Sequence, residues 1–160
     1  MSKHRYGFTF IEMMMVFAIF GIMLAFGIPR FTDARSAYAV RSARDNVAAY
    51  LATARAAAIR RGQAARFIID GAAIDVQVES TPGVFAPLHV RDDGTSASRR
   101  DLGAQFAVAI EMSGASTVEY NPRGFAQLGG TQRFIILRAD KRDSVCVSGL
   151  GVIMRQGCGL

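Results

Sequence analysis

Apolar residues follow three regimes along this chain. From Phe8 to Ile28 they run almost unbroken, with one charge, Glu12, among the 21 positions. From Val40 the pattern changes to spacings of three and four: Val40, Ala43, Val47, Leu51, Ala54 and Ala58. That is the apolar stripe of an amphipathic helix. Arg60 and Arg61 suit its C-terminal dipole and Gly62 is a natural stop. Arg41 and Asp45 sit four apart on the wet side, a pairing worth a few tenths of a kcal/mol. Abundant alanine favours the helix and thins its stripe for close packing. Pro29 removes one backbone bond between the two helical halves, which predicts a bend there, while the continuing period argues against termination.

Beyond Gly62 the period shortens towards two. AARFIID and AIDVQVE flank Gly71 and predict a tight hairpin. VFAPLHV contains Pro87, which predicts an edge strand or irregular chain. RDDGTSASRRD carries both signs of charge and reads as a mobile loop. AQFAVAIE, STVEYN, QRFIILRA, DSVCVS and LGVIMRQ read as further strands. There is no strand–helix alternation. The predicted class is α+β, one long helix laid on an antiparallel sheet or on two small sheets.

Composition adds a direction to this picture. The first apolar run is long enough for a membrane span, which needs roughly 20 residues. Lys3 and Arg5 precede it and no acid does, so residues 1–7 face the cytoplasm and the remainder lies beyond the inner face. About 130 residues remain after the run, enough for one modest domain. The net charge is +6, carried mostly by arginine. From Arg30 onward 17 basic and 12 acidic residues leave a surplus of five, a mild attraction for anions or an ordinary uneven surface.

Glu12 separates three readings of the first run. A carboxylate at bilayer depth costs about 2.5–3.5 kcal/mol on insertion scales. A cleaved secretory signal has a shorter apolar core and a small-residue exit, and Ala25-Phe26-Gly27 is a poor one. A plain anchor explains the length and the leader but leaves Glu12 without a purpose. The stretch GFTFIE resembles the cleavage motif of type IV prepilins and pseudopilins. The resemblance implies a cut between Gly7 and Phe8 by a separate prepilin peptidase, with Phe8 then N-methylated. Glu12 is the fifth residue from that cut, and Pro29 is the 22nd, where the family often has a kinking proline. Phe10 and Met13 stand where leucines are commoner. An incoming subunit's Glu12 would meet the amino terminus of a neighbour, an ion pair that recovers the carboxylate's cost and fixes axial register.

The helix ending ARAAAIRRG, then strands, VEYNPRG and a terminal pair around SGLG resembles the FimT/GspH branch of minor pilins and pseudopilins over nearly the whole length. It implies a type IV pilin-like fold in four parts: leader 1–7, transmembrane and filament-core helix 8–28, amphipathic continuation 29–62, and β-rich domain 63–160. It also implies an inner-membrane protein with a periplasmic C-terminal domain, whose partners are other pilins. Some FimT-like pilins bind DNA, and there the resemblance would place a basic G-R-x-R stretch near the C-terminus. Here Gly149 is followed by Leu150 and Gly151 by Val152, so the first arginine is absent. Arg155 remains, with Arg138, Lys141 and Arg142 nearby in sequence, as candidate nucleic-acid contacts. Clustered basic side chains are what phosphates need, but this cluster is unspecific, and DNA is the alternative to a structural role in filament assembly.

Cys146 and Cys158 are the only cysteines. Their spacing matches neither a redox nor a zinc motif. An extracytoplasmic compartment and an even count favour a disulfide worth about 2–3 kcal/mol, against two free, partly buried thiols. No catalytic, cofactor or metal site is expected. His4 lies in the leader, His89 stands alone, and Gly129-Gly130 is a turn. Asp92-Asp93-Gly94 lacks the spaced oxygens of a calcium loop.

Overall fold

The helical periods condense into α1, Phe10–Arg61, in a computed structural model that describes residues 9–155, apart from the side chains of residues 26–29. The helix continues through position 29 and stops at Gly62, whose φ of 64° suits a residue without a Cβ. The chain divides into two units, residues up to Arg35 and residues from Ser36. In the first unit, the α1 side chains from Phe10 to Ala25 are exposed, with Phe10 at 82% and Phe17 at 73%. This stretch lies in a helix long and apolar enough to cross a membrane.

In the second unit, every member of the predicted stripe is buried, from Val40 to Ala58, and Ala39, Ala48 and Ala57 join them. Among its described residues, two antiparallel sheets complete the unit. The first contains β1 (Ala65–Asp70), β2 (Ala73–Thr81), β3 (Val84–Pro87), β4 (Arg100–Asp101) and β6 (Thr117–Tyr120). Its order is β3-β2-β1-β6, and β4 also pairs with β2. The second has the order β5-β7-β8-β9, from β5 (Ala109–Ser113), β7 (Gln132–Arg138), β8 (Lys141–Val147) and β9 (Ile153–Met154). The helix stripe and residues of both sheets form one core. Phe67 of β1 meets Phe134 of β7 edge-on, at 5.8 Å and 79°, and so joins the sheets. Each fully buried Val, Leu or Phe in this core is worth about 1.5–3 kcal/mol relative to exposure.

The β1–β2 hairpin turns at Gly71 as expected, and β3 with its proline lies at an edge. Three expectations are corrected. AQFAVAIE is not one strand: Asp101 caps a short helix α2 (Leu102–Phe106) by accepting from the Ala104 amide at 2.9 Å, and β5 starts only at Ala109. Asp45 pairs with Arg44 at 3.0 Å and not with Arg41: the Arg44 fork gives Nε and Nη2 to one Asp45 oxygen while its Nη1 reaches Asp143 of β8 at 2.8 Å.

The third correction concerns the polar loop 91–101, which is pinned to the first sheet. Asp75 of β2 is only 7% exposed. Its Oδ1 accepts from the Val76 amide at 2.8 Å, Ser96 Oγ at 2.8 Å and Ser98 Oγ at 2.7 Å. Arg99 reaches Asp70 and Arg100 reaches Asn46. A buried carboxylate survives only with such donors. Asp75→Ala removes the shared acceptor and is expected to cost about 2–3 kcal/mol. Thermal unfolding of the full chain in detergent checks the cost, and limited proteolysis should then cut first within residues 91–99.

Candidate functional site

Among the described residues, chemistry-bearing side chains gather at three places. The first is the start of α1. Thr9 precedes the helix and its Oγ1 accepts from the Glu12 amide at 3.3 Å, while Glu12 Oε2 accepts from the Thr9 amide at 3.4 Å. This is the reciprocal arrangement of a capping box, with long contacts. Gly7 and Phe8 lie outside the described residues, and so does the Pro29 side chain.

The second place is the β7–β8 hairpin, which turns through Ala139 and Asp140 and pairs Arg138 with Lys141 and Leu137 with Arg142. Three of the candidate basic residues therefore share one hairpin end. They differ in what they can do. Arg138 Nη1 donates to the Phe106 carbonyl, so this guanidinium is engaged by the main chain. Lys141 pairs with Asp140 at 2.6 Å. Arg142 is exposed. Arg155 follows β9, which pairs with the other end of β8 at Cys146 and Val147. Between this hairpin and α1 lies a groove of about 730 Å³, lined by Ala37, Val40, Arg41 and Arg44 on the helix and residues 140–143 on the hairpin. The Arg44–Asp143 pair spans it, its side chains 13% and 24% exposed.

The third place closes the domain. Gly151 sits in a turn with φ 74°, its amide donating to the Ser148 carbonyl at 2.8 Å. Its carbonyl accepts from Arg55 Nη1 of α1 at 2.9 Å. Gly124 approaches the same helix, where a Cβ would stand 2.7 Å from Ile59 Cδ1. Tyr120 is buried beside them, and its hydroxyl has no partner among the described residues. The glycines of VEYNPRG and SGLG thus let two loops press against Arg55 and Ile59. Cys146 is buried in β8, and Cys158 lies outside the described residues. Among the described residues, no three His, Cys, Asp or Glu side chains gather as a metal site.

Two sequence families match the chain. The prokaryotic N-terminal methylation motif covers residues 2–28. The type II transport protein GspH family covers residues 43–151, more than half of the chain. The chain belongs to the GspH family. No curated protein is a significant match. Among solved structures, this GspH-family chain is similar to the type IV minor pilin FimU of Pseudomonas aeruginosa in its P21 crystal form. The identity is 17% over 73% of this chain and 87% of that one, with a TM-score of 0.56. The solution structure of E. coli GspH gives 17% identity over 75% and 90% of the two chains, with a TM-score of 0.52. The shared fold is the type IV pilin-like one: a long N-terminal helix followed by antiparallel sheets. FimU is by its name a type IV minor pilin, and the apolar N-terminal helix of the GspH-family chain fits a membrane-anchored pilin.

Sequence reasoning missed Thr9 as a cap, although T-x-x-E before an apolar run is the signal for it. It also missed Arg55, whose partner lies 96 positions away. Burial pushes the Tyr120 phenol of the GspH-family domain well above its ordinary value of 10, while Arg55 pulls weakly the other way. A raised tyrosine value keeps the proton on the folded state after the unfolded chain has released it. Stability is therefore whole below pH 10 and falls above it, by up to about 1.4 kcal/mol per pH unit. Tyr120→Phe is expected to flatten that fall and to change stability at pH 7 by less than about 1 kcal/mol, since no protein hydrogen bond is lost. Urea unfolding at pH 7 and pH 11 measures both.

Proposed function

We propose that this chain is a minor subunit of a type IV pilus or of a type II secretion pseudopilus. One observation carries the reading: a methylation motif at residues 2–28 is joined in one chain to a GspH region at 43–151. On this reading a prepilin peptidase in the inner membrane cuts between Gly7 and Phe8, and Phe8 is N-methylated. The domain from Ser36 stands on the periplasmic side. The exposed apolar face of α1 leaves lipid for the filament core and packs there against other pilins. Glu12 pairs with a neighbour's amino terminus, Pro29 loosens the helix between its halves, and Cys146 and Cys158 form a disulfide that secures the end of the chain.

The deciding test is intact mass and N-terminal peptide analysis of the membrane-purified protein. A chain beginning at N-methylated Phe8 is the expected result. A chain still beginning MSKHRYG, in cells with an active prepilin peptidase, overturns the reading. The same sample, alkylated with and without prior reduction, reports the disulfide.

A further inference from the structure

The groove between α1 and the β7–β8 hairpin carries more positive charge than the domain uses internally. Four cations line it, Arg41, Arg44, Lys141 and Arg142, against two carboxylates, Asp140 and Asp143. Both carboxylates are already engaged, Asp140 by Lys141 at 2.6 Å and Asp143 by Arg44 at 2.8 Å. Arg41 and Arg142 have no ion-pair or hydrogen-bond partner among the described side chains, and both are exposed. They are 101 positions apart in sequence and are brought to one groove by the fold. An adjoining hollow of about 420 Å³ shares Arg142 and Asp143 and adds Arg133 and Ile135.

We propose that this groove is a docking site for an acidic polypeptide segment, a stretch of Asp or Glu side chains presented by a neighbouring filament subunit. Guanidinium forks bind carboxylates and phosphates alike in a bidentate manner, and two such forks flank the groove. Two further features favour a polypeptide over nucleic acid. Ala37 and Val40 give the groove an aliphatic wall that suits the methylenes of a glutamate. With Asp140 and Asp143 each occupying one cation, Arg41 and Arg142 are what the lining offers a ligand, which suits a short acidic segment better than a duplex whose affinity rests on many phosphate contacts. The Arg44–Asp143 bridge ties hairpin to helix and so holds the two walls of the groove together. The source of the segment rests on the filament reading above. The chemistry of the groove does not, so the following test can fail while processing at Phe8 holds.

The full chain in detergent micelles is titrated with a fluorescein-labelled hexaglutamate peptide at low salt, and separately with a labelled short DNA duplex. Variants are Arg41→Glu with Arg142→Glu, and, as a charge-matched control at the exposed end of α1, Arg60→Glu with Arg61→Glu. The groove variant is expected to weaken hexaglutamate binding by about tenfold or more, and the control to leave it within about threefold. Thermal unfolding confirms that both variants fold, and Arg41→Gln with Arg142→Gln, which only removes the charges, must weaken binding in the same direction. Absence of saturable peptide binding by the natural chain overturns the proposal. So do equal losses in groove and control variants, which would mean diffuse charge. Tighter binding of the duplex than of the peptide, with the same dependence on Arg41 and Arg142, overturns it in favour of a phosphate-reading surface.

Discussion

Gly151→Ala should destabilise the domain by about 3 kcal/mol or more, whereas Gly149→Ala, two residues away, should cost less than about 1 kcal/mol. Both substitutions add one methyl group to the same turn, so the difference isolates backbone geometry. Gly151 has φ 74°, where a non-glycine residue loses about 1–2 kcal/mol before any contact is counted. Its new Cβ would also collide with the Gly124 carbonyl oxygen, which is backbone and cannot rotate away. Gly149 has nothing nearer than 3.8 Å to a Cβ and no positive φ. Relief at Gly151 requires the turn to move, and movement breaks the bond from Arg55 to the Gly151 carbonyl. A buried guanidinium nitrogen and the Tyr120 hydroxyl next to it are already without partners among the described residues, so the site has no spare hydrogen bonds to absorb the shift. Thermal unfolding of the full chain in detergent should show the midpoint lower by roughly 10 °C for Gly151→Ala. Equal midpoints for the two variants would mean that the turn adapts freely and does not anchor the end of the domain to α1.

This closure marks where reading the sequence stops working. Periodic features were legible because they are local. The stripe Val40 to Ala58 has helical spacing, and all six of its members are buried. Gly71 announces its hairpin, and Pro87 announces an edge. Asp75 was not legible: in an alternating strand a carboxylate reads as solvent-facing, and its donors Ser96 and Ser98 lie 21 and 23 positions away. The expected Arg41–Asp45 pair gave way for a related reason: Arg44 is held by Asp143, 99 positions away, and takes Asp45 as its second partner. The helix-surface pair Arg41–Asp45 is worth tenths of a kcal/mol, while a partly buried guanidinium–carboxylate bond at 2.8 Å is worth several times that. Of the candidate sites, the GFTFIE stretch is readable because the methylation motif that covers it is a linear string. The groove is unreadable because Arg41 and Arg142 meet only after the hairpin docks on the helix.

Glu12→Gln should leave the capping of α1 intact and still reduce recovery of the chain in assembled filaments by about tenfold or more. The substitution separates two roles of Glu12. In the structure it closes a capping box with Thr9, at 3.3 and 3.4 Å, and that role belongs to the chain itself. In the proposed filament it meets the amino terminus of another subunit. A glutamine serves as well as a glutamate in a capping box, so the first role survives. A glutamine carries no charge, so the second does not. Leaving a new ammonium without its counter-ion in a poorly solvated filament core costs several kcal/mol, enough to bias assembly towards the natural subunit. Co-expression of the two forms and mass spectrometry of sheared filaments gives the ratio directly, and the membrane fraction reports whether both are cut before Phe8. Cleavage is expected to be equal, because Glu12 lies beyond the scissile bond. If the glutamine form enters filaments as readily as the natural one, Glu12 is a helix cap that happens to sit in an apolar run. In that case the register of the filament must be set by the apolar face of α1 alone.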